Sequence, residues 1–224
     1  MKYRKLDPAL VPAAVAWDPA LDSLFCVHPS RDEIHLWGRI DLRKPLPMGS
    51  RPQGVALGPR EGKVTRVWAT LAGRDGVMAI DPATGKETFC SLAGDGGPSG
   101  PRGITLGPDN NLWVALETGH AIARIKPSGE VTRFKLRDTM SPLEISASGD
   151  GRVWFSLANS PDIGAMTVVP MVRPGAPALH PAEGKEEART TVDVLEPRAP
   201  LPKLSREERH TTSWRTAWMI SGRA

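Results

Sequence analysis

Between residues 101 and 136 short apolar runs alternate with turn residues so regularly that the stretch reads as four strands of one small sheet. Gly103 to Leu106 is the first run, and Gly107-Pro-Asp-Asn-Asn supplies the φ > 0 and Asx residues of a tight reversal. Leu112 to Leu116 follows around Trp113, then Ala121 to Ile125, then a Lys126-Pro-Ser-Gly turn. In the last run Val131, Arg133 and Lys135 alternate with Thr132, Phe134 and Leu136, the period of a strand with one wet face. A sheet this small buries a face only when another stacks on it.

The pattern repeats. Upstream stand Pro52-Gln-Gly-Val-Ala-Leu-Gly-Pro, Arg66-Val-Trp, Val77 to Ile80 and Glu87 to Leu92. Downstream stand Pro142-Leu-Glu-Ile, Arg152-Val-Trp-Phe and Ile163 to Met166, and a fainter copy opens the chain from Pro12 to Trp37. The anchors Phe25, Trp68, Trp113 and Trp154 are 43, 45 and 41 residues apart, and four strands per forty-odd residues is the signature of propeller blades. The expected fold is all-β, a β-propeller-type partial ring of four four-stranded blades at residues 12–50, 51–97, 101–140 and 141–169, followed by an irregular Pro-rich tail. The fourth blade shows only three strands before its pattern ends at Met166.

In that tail, residues 170–224, alternation survives weakly from Thr190 to Leu195. Ser205-Arg-Glu-Glu fits a capping box, which would start a short helix over 206–218 presenting Trp214 and Trp218 four residues apart. Disorder, or unrelated coding sequence after a truncated ring, are the competing readings of the same residues.

Composition changes this picture in few places. Of 224 residues 40% are hydrophobic, enough for packed cores, and seven of the twelve aromatics are Trp, three of them at the anchors, where they read as plugs between sheets. The net charge of +4 forms no basic stripe interleaved with aromatics, so nucleic acid is not an expected partner. Nor is a membrane, since no run approaches about twenty apolar residues and the start lacks an apolar leader, which places the chain in the cytoplasm as an expectation. Cys26 and Cys90 each follow a Phe within strand patterns and read as reduced core residues.

The phrase P-x-G-I-T-x-G-P-D-x-x-L-W, followed about ten residues on by I-x-R-I-x-P-x-G-x-V-T-x-F, resembles the streptogramin B lyase (virginiamycin B lyase) family of propellers. The match is nearly complete over 101–136, outlined in the second and fourth blades, loose in the first and missing beyond 170. The resemblance implies a carbon–oxygen lyase of antibiotic resistance, opening a cyclic depsipeptide by elimination with a His base, a Glu and Mg2+. It also implies more blades than four, so each open end would expose a hydrophobic blade face, which self-association would cover.

By the resemblance the base His occupies the x of P-x-G-I, and here those positions are Gln53, Arg102 and Leu143, with Ala13 as a weak counterpart. None can act as an imidazole base. The Glu is implied four residues after the anchor Trp, where Glu117 stands as the one candidate for a catalytic and metal-binding role; a solvated strand-end residue is the alternative. Blades two and four have Ala72 and Ala158 there. His120, three residues beyond Glu117, would share its loop as a metal pair or stand in water, and His28, His35, His180 and His210 form no ligand spacing. A lyase-like propeller with Mg2+ by resemblance only, lacking its base, is therefore expected. The alternatives are a non-catalytic module binding a small molecule or peptide through loops such as 60–65 and 94–100, and a truncated remnant.

Overall fold

The computed structural model describes residues 11–38, 42–61, 64–94, 97–168 and 192–195. By compactness residues 1–194 form one unit and 195–224 another, and the described residues belong to the first except Leu195. The expected helix at 206–218, with Trp214 and Trp218, lies outside the described residues. Among them every regular element is a strand.

Four antiparallel sheets of four strands follow one another along the chain. The first holds β1 (Ala14–Asp18), β2 (Ser23–His28), β3 (Glu33–Trp37) and β4 (Leu42–Pro45); the second holds β5 (Pro52–Glu61), β6 (Val64–Leu71), β7 (Gly76–Ile80) and β8 (Glu87–Ser91). The third holds β9 (Pro101–Leu106), β10 (Leu112–Leu116), β11 (Ala121–Ile125) and β12 (Val131–Lys135); the fourth holds β13 (Pro142–Ala147), β14 (Arg152–Leu157), β15 (Ile163–Thr167) and β16 (Val192–Leu195). Each sheet runs in sequence order. The stretch read as irregular beyond 170 thus returns one strand, at the place where weak alternation survived, to complete the fourth sheet.

The first strands β1, β5, β9 and β13 pack on one another in turn, so they form the inner side of an open array. The last strand of the second sheet faces outward: β8 is exposed at four of its five positions. Alternation then sends each middle strand's residues to two different neighbours. Phe25 and Val27 meet Val67, Ala69 and Leu71 between the first two sheets. Trp68 and Val77 meet Leu112, Val114 and Leu116 between the second and third, and Trp113, Ala115 and Ile122 meet Val153, Phe155 and Leu157 between the third and fourth. Among the described residues there are three cores of this kind, each spanning two sheets.

The recurrent phrases have separate structural jobs. Register slips between Pro52 and Val55, in the segment opposite Val114 to Leu116, and between Pro142 and Ile145, so P-x-G-I is a bulge at the start of the inner strand. A bulge re-aims the residue it carries, here the x position. At Gly107 a Cβ would stand 2.3 Å from the Trp113 ring, and at Gly58 it would stand 2.3 Å from Trp68 Nε1, so the glycine of G-P makes room for the anchor indole.

A further repeated device joins the sheets. The residue before the third strand, Asp32, Asp75 and His120, has φ of 50°, 55° and 46°, in the left-handed region that Asp and His enter more readily than most side chains. Asp32 accepts the backbone N–H of Gly49 at 2.6 Å and of Arg51 at 2.5 Å. Asp75 accepts those of Ser99 at 2.7 Å and Gly100 at 3.0 Å, and the Ser99 hydroxyl. His120 Nδ1 contacts the Met140 carbonyl at 3.0 Å, donating as the Nδ1–H tautomer. Each thereby clamps the segment that leads into the next sheet.

Candidate functional site

The bulges and the ends of the second strands share one rim of the inner side. There Arg102, at the x position of β9, donates from Nε to Glu117 Oε2 at 2.5 Å and from Nη1 to Gln53 Oε1 at 3.0 Å. Three sheet elements therefore position one guanidinium: the bulge of β9, the end of β10 and the bulge of β5. Thr70, fully buried at the end of β6, holds the backbone beneath it, accepting the Gly54 N–H at 2.7 Å and donating to the Arg102 carbonyl at 2.6 Å. Glu117 is fixed in turn by its own N–H on the Gly100 carbonyl at 3.0 Å. The two charged side chains remain 36% and 26% exposed, so solvent moderates their attraction without removing it.

Glu144, on β13, completes the group. Glu144 as a residue is exposed, but partial desolvation of its carboxyl against the neighbouring inner strand pushes it above the ordinary carboxylate range, and the nearby positive charge of Arg102 partly opposes that shift. It reaches this position because Gly103 faces it: a Cβ there would stand 2.8 Å from Glu144 Cα and 2.9 Å from its Oε2. The glycine of the bulge phrase is thus required by the approach of the next inner strand. Gly54 plays the same part toward Arg102, where a Cβ would stand 2.6 Å from the carbonyl oxygen.

The structure separates the two residues that the sequence placed in a shared loop. Glu117 turns inward to Arg102, whereas His120 clamps Met140. The other two described histidines, His28 and His35, are buried in the first sheet with ring centroids 6.1 Å apart. Cys26 and Cys90 are free, and burial raises both thiols, which keeps them protonated and weakly nucleophilic. Among the described residues no group of three or more His, Cys, Asp or Glu converges as a metal would require. With Glu117 Oε2 already on a guanidinium, the residues present do not fit a Mg2+ ion.

Gln53 and Arg102 entered the sequence reading only as substitutes for an imidazole, and Glu117 only by its distance from Trp113. That all three meet depends on the stacking of two sheets. The Asp clamps were also missed, although their signal was present: Asp32, Asp75 and His120 precede the third strand at spacings of 43 and 45 residues, the repeat period itself.

Solved structures place this geometry among known propellers. The virginiamycin B lyase from Staphylococcus aureus matches at 26% identity with a TM-score of 0.63, over 73% of this chain and 54% of that one. A catalytically inactive variant of that lyase, with one histidine replaced by alanine and with quinupristin, matches equally. Regucalcin, a calcium-binding protein from Agrobacterium tumefaciens strain C58, matches at 21% identity and a TM-score of 0.56, over 73% of this chain and 56% of that one, a likeness of fold alone. This chain spans about half the length of the solved lyases that it matches. No curated protein matches it. Among the described residues no helix is long and apolar enough to cross a membrane. The model of the virginiamycin B lyase family covers residues 38–174, more than half of the chain, and with the bulge phrase and the stacked anchors in place the chain belongs to that family.

Proposed function

We propose that this chain is a ligand-binding propeller array of the lyase family that does not open streptogramin rings on its own. The observation that carries this reading is Arg102: it stands where the family resemblance puts a basic imidazole, and it holds Glu117 in an ion pair. A guanidinium stays protonated at every pH the fold meets, so it cannot take an α-proton. It suits recognition instead. The N–H groups not used by Glu117 and Gln53 offer donors to a carbonyl or carboxylate oxygen of a small molecule or peptide, while Glu144 beside it offers an acceptor. That the solved lyase is inactive with one histidine changed to alanine supports the dependence of ring opening on an imidazole.

Quinupristin with excess Mg2+ is the direct test, read by chromatography for a linear isomer of unchanged mass, with binding read separately as a rise in melting temperature. Binding without ring opening is the expected result. Linear product above the buffer control would overturn the inactive half of the proposal. A chain whose melting temperature quinupristin and other small peptides leave unchanged would overturn the binding half.

A further inference from the structure

The oxygen atoms around Arg102 are those that elsewhere gather around a metal ion. Glu117 Oε2 and Gln53 Oε1 converge on the guanidinium from two sheets, and from a third the Glu144 carboxyl packs against Gly103, the residue after Arg102, where a Cβ would stand 2.9 Å from its Oε2. Removing Arg102 in thought leaves two carboxyl groups and an amide oxygen on one rim with no positive charge between them. Hard divalent cations take such donors. We infer that the guanidinium of Arg102 is the resident cation of this rim, built into the chain where oxygen donors from three sheets would otherwise call for an ion. The inference goes beyond the ligand-binding proposal and does not depend on it.

Two consequences separate a covalently attached cation from an exchangeable one. A side chain cannot dissociate, so the rim keeps its geometry in chelators, and it repels a second cation, so added Mg2+ finds no site. The attached charge also has direction: Nε and Nη1 each address a different sheet, whereas an ion would pull all donors toward one point.

The test titrates the full chain and its variants with MgCl2 alone, by calorimetry and by melting temperature, with circular dichroism confirming the fold. The wild-type chain is expected to show no saturable Mg2+ binding and no response to a chelator. Arg102→Met, which keeps the length and removes the charge, is expected to gain saturable Mg2+ binding that is absent from wild type, and to lose roughly tenfold or more of that affinity in the double variant with Glu117→Gln. Saturable Mg2+ binding by the wild-type chain that Glu117→Gln abolishes would overturn the inference, and this arm does not depend on any Arg102 variant folding. A folded Arg102→Met chain that stays indifferent to Mg2+ would overturn it as well. Because quinupristin takes no part, failure here and failure of the binding proposal are read independently.

Discussion

The third and fourth sheets are copies of one plan, yet only the third uses all of it. Trp113 is 0% exposed, stacked on Phe134 with ring centroids 5.4 Å apart, and its indole donates to Asp109 at 2.9 Å. Trp154 makes the corresponding bond to the Ser148 hydroxyl at 2.9 Å, but its face is partly open and beside it Ile163 is 52% exposed. Along β14 the residues that alternate with the buried Val153, Phe155 and Leu157 are Arg152, Trp154 and Ser156, a mixed polar surface. The bulge glycine of the second and third sheets is Glu144 in the fourth. The clamp position before the third strand, by strand register, is Pro161, which has no side-chain acceptor. Glycine, clamp and anchor therefore serve stacking on the next sheet, and where the described chain supplies no such sheet, two of the three are changed. An apolar face at each open end was the expectation from sequence; at the fourth sheet the face is only partly apolar.

If stacking is what these residues share, matched substitutions in the two sheets must differ. The largest difference is expected at the anchors: Trp113→Ala costs about 3–5 kcal/mol in urea unfolding, and Trp154→Ala about 1 kcal/mol or less. Equal costs would mean that the fourth sheet's anchor is covered as well as the third's. Next come the clamps. Asp75→Ala strands the N–H of Ser99, a residue only 1% exposed, and costs about 1.5–3 kcal/mol, against less than about 0.5 kcal/mol for Pro161→Ala. Asp75→Asn, which keeps one acceptor oxygen, should recover part of that loss.

The smallest effect sharpens the comparison at the bulge. Glu144 has a folded-state pKa above its unfolded value of 4.5, so the folded chain favours the protonated acid, and ionisation opposes folding as pH rises. Glu144→Gln should therefore be slightly more stable than wild type near pH 7, and the gap should close as pH falls below 4.5, where both states of the wild type are protonated. Parallel urea titrations of the two proteins across pH 4 to 8 check the sign; a variant less stable than wild type at pH 7 would show that the attraction of Arg102 outweighs burial.

Element type and repeat length were legible in the linear chain because strand alternation, turn residues and a recurring Trp are local properties. Each strand's two faces and each reversal can be read from fewer than ten residues. The sheet count followed. Two last strands escaped: that of the first sheet, where Pro45 and Pro47 read as breaking the run although β4 forms up to Pro45, and that of the fourth, which returns from beyond a segment of more than twenty residues. Glu117 as a position of interest was also readable, by its distance from Trp113.

What Glu117 touches was not. Arg102 lies fifteen residues before it and Gln53 sixty-four, and their meeting on one guanidinium depends on which edges two bulged strands bring together. Repetition along the chain by itself determined the first three sheets and three strands of the fourth, because their hydrogen bonds join near neighbours in sequence. The tertiary stacking decided the rim, because the Arg102–Glu117 pair of the third sheet meets Gln53 of the second and Glu144 of the fourth only when one sheet's inner strand is pressed against the next.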